Sequence, residues 1–209
     1  MKIESPKIIF LHPNKTGGTS VEHTLCKKYL QDIDLNLLII HKKTDRDIMF
    51  GFDRELKLFL QHACLRTYKK LSIPFNKYNT FTTVRNPYTR ILSLYFYSGF
   101  SRKITFPEFV NQEVPKRLQH NITGGYAKNM FSPQHYYTHL DSFSVNNIIH
   151  QENLNEECLE MLDLQIKFYY AKTALSDTFK EPMEAYDSQS KKIVYNLYKE
   201  DFDLYGYNK

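Results

Sequence analysis

Residues 8–22 read Ile8-Ile9-Phe10-Leu11-His12-Pro13-Asn14-Lys15-Thr16-Gly17-Gly18-Thr19-Ser20-Val21-Glu22, and that order of residue types permits few local structures. The β-branched and aromatic run Ile8–Leu11 suits a buried strand. Two adjacent glycines let the backbone turn sharply, and a helix pattern follows at once from Thr19 to Tyr29. A strand, a glycine loop and a helix N-terminus in this order build a pocket for a phosphate-like anion, because the first helical N–H groups have no intrahelical partner. Lys15 adds a positive charge; Thr16, Thr19 and Ser20 add hydroxyl donors. The Walker pattern sets its lysine after its second glycine, whereas here Lys15 precedes the glycine pair.

A second stretch, Thr80-Phe81-Thr82-Thr83-Val84-Arg85-Asn86-Pro87-Tyr88-Thr89-Arg90-Ile91-Leu92-Ser93-Leu94-Tyr95, lies about 70 residues further on. Phe81–Val84 reads as a short strand, and Pro87 suits the first turn of a helix around Arg90–Tyr97. That leaves Arg85 at the C-terminal end of a strand, where open α/β sheets bind ligands.

The loop PNKTGGTS resembles the 5′-phosphosulfate loop of sulfotransferases that use 3′-phosphoadenosine-5′-phosphosulfate (PAPS), in the carbohydrate-type branch, where it reads PKTGGTS. In an ungapped reading Asn14 stands for the family's proline and Pro13 for the apolar residue before it. The resemblance implies that Lys15, Thr16, Gly17, Gly18, Thr19 and Ser20 hold the 5′-phosphosulfate. The second stretch is similar to the family pattern VRNPxxRxxSxY, whose arginine and serine bind the 3′-phosphate, so Arg85 and Ser93 inherit that role. Later segments extend the likeness to about residue 207. Gln151-Glu152-Asn153-Leu154 resembles the family's ENL turn after a late strand, and Asp201-Phe202-Asp203-Leu204-Tyr205-Gly206-Tyr207 its C-terminal DF..(F/Y)GY ending.

The implied reaction moves a sulfuryl group in line from PAPS to an acceptor hydroxyl, expected to be that of a carbohydrate, leaving 3′-phosphoadenosine-5′-phosphate (PAP). Such a site needs a base for the acceptor and a cation at the leaving phosphate. Lys15 takes the second task. For the first, Gln61-His62-Ala63-Cys64-Leu65-Arg66 resembles the family's KHATAR-type element, which makes His62 the expected base among eight histidines. Glu22 is the alternative base; its plainer role is a first-turn acid or a capping-box partner for Thr19. His12, beside the loop, is expected to be structural. His135 and His139 stand four apart but lack a third ligand at metal spacing, so no metal is expected.

At 209 residues, with 42% hydrophobic and 15% aromatic content, the chain is long and apolar enough for one packed domain and unlike a disordered one. Its net charge of +5 suits an anionic cosubstrate and is too small to argue for nucleic acid. Cys26, Cys64 and Cys158 are widely spaced and expected as free buried thiols. No apolar run reaches the roughly 20 residues that span a bilayer. The expected location is cytoplasmic, in a microbe or virus, unless an N-terminal membrane anchor has been removed.

Alternating strands and helices predict an α/β fold: a P-loop-like central parallel sheet flanked by helices on both faces, in one domain over residues 1–209. Further elements are expected as strands at Asn36–His41 and Asn147–His150, helix or turn at Asp53–Leu60, and helices at Cys64–Leu71, Phe106–Gln112, Asn155–Leu162 and Asp187–Phe202. Thr105 and Asn155 are the expected caps of two of these. Residues 100–145, above all the polar and aromatic stretch from Gln119 to Tyr137, form an acceptor-side insertion or lid. Basic pairs there, Arg102-Lys103 and Lys116-Arg117, suggest a meeting with an acidic sugar. Two other readings remain: a P-loop-type nucleotide kinase, and a catalytically silent nucleotide-binding relative.

Overall fold

The computed structural model describes residues 1–30, 33, 44–123, 129–166 and 181–209, without the side chains of 120–123. The expected strand at Asn36–His41 and the Gly124-Gly125 pair lie outside the described residues. Strand β1 (Lys2–Ile3) runs antiparallel to β2 (Ile8–Leu11), which leads through the glycine loop into helix α1 (Gly18–Tyr29). A small hairpin, β3 (Phe52–Asp53) with β4 (Leu58–Phe59), precedes a 3-10 turn at Leu60–His62 and helix α2 (Leu65–Lys70). Strand β5 (Asn79–Val84) enters helix α3 (Pro87–Tyr97), whose N-cap is Asn86, its side chain accepting from the Tyr88 N–H. Then come α4 (Phe106–Glu108), a π-helical turn at Phe109–Glu113 and α5 (Val114–Thr123). Strands β6 (His139–Leu140), β7 (Phe143–Ser144) and β8 (Asn147–His150) lead to helix α6 (Leu154–Leu162). Helices α7 (Ser188–Leu197) and α8 (Lys199–Tyr205) close the chain.

The main sheet has the order β1-β2-β5-β8. Both inner pairings, β2 with β5 and β5 with β8, are parallel, so the expected parallel sheet needs one correction: its edge strand β1 is antiparallel. Strand side chains alternate between faces. Phe10, Phe81 and Ile149 pack on one face against Val21 and Leu25 of α1 and Leu154 and Cys158 of α6. Ile9 and Leu11 point to the other face, against Leu65 and Tyr68 of α2. Helices therefore cover both faces. A third cluster joins α3 to Phe106, Phe109, α7 and α8 through Ile91, Leu94, Val194 and Phe202.

Some local expectations change. Of the two readings for Asp53–Leu60, helix or turn, the turn holds at 54–57, between the β3 strand that ends at Asp53 and β4, with Leu60 opening the 3-10 turn. Thr105 forms the expected capping box with Glu108. Asn155 is not a cap; α6 begins one residue earlier, and the Asn155 side chain accepts from the Ile166 N–H instead. The expected last helix is broken at Tyr198 (φ −121°, ψ 24°). Within the stretch expected as insertion or lid, Phe131, Ser132, Gln134, Tyr137 and Thr138 are buried and packed into the body of the protein. Cys26, Cys64 and Cys158 are free and buried.

Candidate active site

Because β2, β5 and β8 are parallel, their C-terminal ends share one edge of the sheet. There the glycine loop, Arg85 and the Gln151–Asn153 turn come together, though they are distant in sequence. The loop is shaped by two left-handed residues, Lys15 (φ 68°) and Gly17 (φ 82°). Alternation of left-handed with ordinary residues turns successive N–H groups toward one point, a backbone cradle for an anion. For a lysine this conformation costs about 1–2 kcal/mol, which the surrounding contacts must offset. Gly17 caps α1 with no side-chain hydrogen bond, so no hydroxyl or carboxylate of its own blocks the helix N-terminus. Gly18 is required for a different reason: a Cβ there would lie 2.1 Å from His12 Cδ2.

Several side chains hold the loop from below. Thr16 donates its single hydroxyl hydrogen to Pro13 O at 2.7 Å, so Thr83, also 2.7 Å away, must be the donor in their shared bond. The Thr16 hydroxyl is thus used internally, and what that residue offers a ligand is its backbone N–H. Arg90, fully buried, donates through Nε to Asn14 O at 2.9 Å and through Nη2 to Met130 O and Ser132 O. Thr19 and Ser20 stand in the first turn of α1.

Arg85 leaves the end of β5 and donates through Nε to Thr89 Oγ1 at 2.9 Å and through Nη1 to Lys15 O at 3.3 Å. Thr89, Ser93 and Tyr97 follow at intervals of four on α3, hence on one helix face. Ser93 is buried, and Tyr97 is 62% exposed with Lys15 Nζ 4.1 Å from its ring centroid. Among the described residues, neither Lys15 nor Arg85 forms a salt bridge with a carboxylate. Burial, and then the neighbouring charge of Arg85, bring the Lys15 pKa down to about 8. Burial likewise lowers that of Arg85, with Glu152 and Tyr207 opposing. Two partly desolvated cations held close together without a carboxylate favour a ligand that brings negative charge.

His62 lies across the loop, its ring edge-on to that of His12 with centroids 4.5 Å apart. Its Nδ1 sits 3.0 Å from His12 O. A carbonyl only accepts, so Nδ1 carries the proton and Nε2 is left as the basic nitrogen. The His62 carbonyl is fixed in turn by Asn129 Nδ2 and the Tyr137 hydroxyl. Burial, then the charge of His12, push the His62 pKa down to about 3, which keeps the ring neutral at ordinary pH. Glu22 is placed differently from its expected first-turn or capping-box role: it is buried, with Oε1 3.1 Å from His12 Nδ1. Its burial favours the neutral acid, yet the adjoining His12 wins and holds the carboxyl below its usual range.

The ENL turn and the chain's ending also meet here. Glu152 accepts from the Asn86 N–H at 2.9 Å through Oε1 and from the Tyr207 hydroxyl at 3.0 Å through Oε2. His135 binds Asp201 and Glu200 through its two ring nitrogens, and His139 pairs with Thr138. Among the described residues no group of three or more His, Cys, Asp or Glu could hold a metal ion. Arg117 is engaged by Glu113 and lies over the Phe100 ring.

The sequence model of the sulfotransferase family matches residues 3–208. The chain belongs to the sulfotransferase family. Membership sets the reaction class as sulfuryl transfer and leaves the nucleotide-kinase reading without support. No curated protein and no solved structure matches the chain. Among the described residues, no helix is long and apolar enough to cross a membrane. Sequence reading passed over Thr89, Tyr97, Gln134 and Asp201. The first two were discoverable, since they continue the four-residue spacing through Arg85 and Ser93; nothing local marks Gln134 or ties it to Arg85.

Proposed function

We propose that this sulfotransferase takes its sulfuryl group from PAPS and passes it in line to an acceptor hydroxyl, that of a carbohydrate. The observation that carries the donor assignment is the pair Lys15 and Arg85, close together and, among the described residues, without a carboxylate salt bridge, at an α1 N-terminus with no side-chain cap. One cation for each of two anionic groups, a 5′-phosphosulfate and a 3′-phosphate, suits PAPS. Backbone N–H groups of the loop, with Thr19 and Ser20, would hold the 5′-phosphosulfate; Arg85 and Ser93 would hold the 3′-phosphate. PAPS, when bound, supplies the sulfuryl group and departs as PAP.

The protein's own part is positional and electrostatic. Lys15 brings its ammonium to the phosphate oxygen on which charge develops. His62 accepts the acceptor's proton at Nε2, the nitrogen left unprotonated by the Nδ1 contact with His12 O. Glu22 is engaged by His12, whereas among the described residues His62 Nε2 has no hydrogen-bond partner, which supports His62 over Glu22 as the base. The carbohydrate acceptor rests on the likeness of PNKTGGTS to the loops of that branch.

Calorimetric titration with PAP, set beside 5′-AMP and ATP, tests the donor. PAP should bind at micromolar concentration, and Arg85→Ala should weaken it about 10- to 100-fold. A preference for ATP would sink the assignment. For the base, His62→Ala should lower turnover about 10²–10⁴-fold while PAP affinity stays within a few-fold. Turnover surviving that change would remove His62 from the role. A panel of sulfate acceptors assayed for PAP release would test the carbohydrate class.

A further inference from the structure

Strand β5 ends at Val84, so the N–H and C=O of Arg85 lie just beyond the sheet's ladder. Both groups are taken by one side chain. Gln134 Oε1 accepts from the Arg85 N–H at 2.8 Å, and Gln134 Nε2 donates to Arg85 O at 2.9 Å. A carboxamide carries a donor and an acceptor side by side, so it can copy the edge of a neighbouring strand. Gln134 itself is fully buried and gripped from behind by Asp201 of α8, also fully buried. Asp201 Oδ2 accepts from the Gln134 N–H at 2.7 Å and faces its Nε2 at 3.4 Å; Oδ1 accepts from the His135 N–H at 2.9 Å and meets His135 Nδ1 at 3.0 Å. An Asp201–Gln134–Arg85 chain thus links the C-terminal helix to the backbone of the arginine at the sheet's edge.

We infer that Gln134 is a positioning residue for recognition of the 3′-phosphate, fixing the backbone from which Arg85 reaches, and that Asp201 fixes Gln134. This rests on the reading of Arg85 as the 3′-phosphate ligand. Among the described residues the Arg85 guanidinium is hydrogen-bonded by Thr89 Oγ1 at 2.9 Å and Lys15 O at 3.3 Å alone, so its direction depends on where its backbone stands. Releasing the backbone should therefore cost 3′-phosphate selectivity more than general nucleotide affinity.

The experiment compares the affinities for PAP and 5′-AMP in wild type, Gln134→Ala and Gln134→Glu. The glutamate keeps the side chain's shape and its acceptor for the Arg85 N–H, but it has no donor for Arg85 O and sets a second carboxylate against Asp201. Expected is a loss of about tenfold in PAP affinity for both variants, with 5′-AMP affinity within about twofold of wild type, so that the PAP to AMP ratio collapses. Equal losses for both nucleotides, an unchanged ratio, or unfolding of both variants in thermal melts would overturn the inference and leave the donor reading standing. A wild type that binds PAP no better than 5′-AMP would overturn both.

Discussion

The loop from Pro13 to Ser20 and the corner around Arg85 are two halves of one candidate site, assembled by different means. Much of the loop's geometry comes from its own residues: Thr16 bonds back three positions to Pro13, Ser20 N–H bonds to Gly17 O, and two left-handed residues set the turn. The Arg85 corner takes its backbone partner from 49 positions away and rests one guanidinium contact on a residue 70 positions away. Local parts of a site are written in adjacent letters and resist small tertiary shifts. The corner depends on the packing of β5, the Gln134 segment and α8 together, so it should yield first when that packing is disturbed.

Substitutions can sharpen or break this contrast. Lys15→Ala should have the largest effect, lowering kcat about 10²–10³-fold by removing the charge at the leaving phosphate. A change in KM alone, with kcat intact, would put Lys15 in binding rather than in the chemical step. Gly18→Ala comes next. Its methyl would collide with the His12 ring, so stability should fall by about 1–3 kcal/mol in denaturant melts. Because that damage falls on the loop and the His12 ring beside it, away from the Arg85 corner, the folded fraction should keep its preference for PAP over 5′-AMP. Loss of the preference would show that the halves are not separable.

The smallest effect is one of pH. Lys15 is protonated below its pKa of about 8, and an anion binds the protonated form better. PAP affinity should therefore be level from about pH 7, where the phosphates of PAP have lost their second protons, to about pH 8, and fall above that by at most about tenfold per pH unit. Lys15→Arg should abolish that fall, since a guanidinium keeps its charge throughout the range. A decline that persists in Lys15→Arg would assign the titration to another group.

Much of the fold was legible in the sequence because strands β2, β5 and β8 are short β-branched runs, each followed by a turn and a helix start. Pro87 marked the start of α3, and the Thr105 box was readable from Thr105 and Glu108 alone. The hairpin at Phe52–Phe59 was not, since Arg54, Glu55 and Lys57 have the polarity of either a helix or a turn. Its turn is held by the Asp53 side chain accepting from the Glu55 and Leu56 N–H groups, and Lys57 adopts a left-handed φ of 53°. Glu22 was misread for a related reason. Counted from a helix start at Thr19 it read as a first-turn acid or a capping-box partner, but α1 begins at Gly18 and turns Glu22 inward against His12.

By itself the sequence determined most of the order of elements and the glycine loop between a strand and a helix; it put forward Lys15 and Arg85 from local patterns, and Ser93 and His62 through resemblance to the family. Tertiary structure decided which nitrogen of His62 is free, that Glu22 is turned inward, that the Thr16 hydroxyl is engaged, and that Gln134 and Asp201 stand behind Arg85. Those outcomes depend on donors and acceptors 10 to 70 positions apart meeting at hydrogen-bond distance. No pattern of neighbouring residues records such a meeting; only the closing of the sheet and the packing of helices against it bring it about.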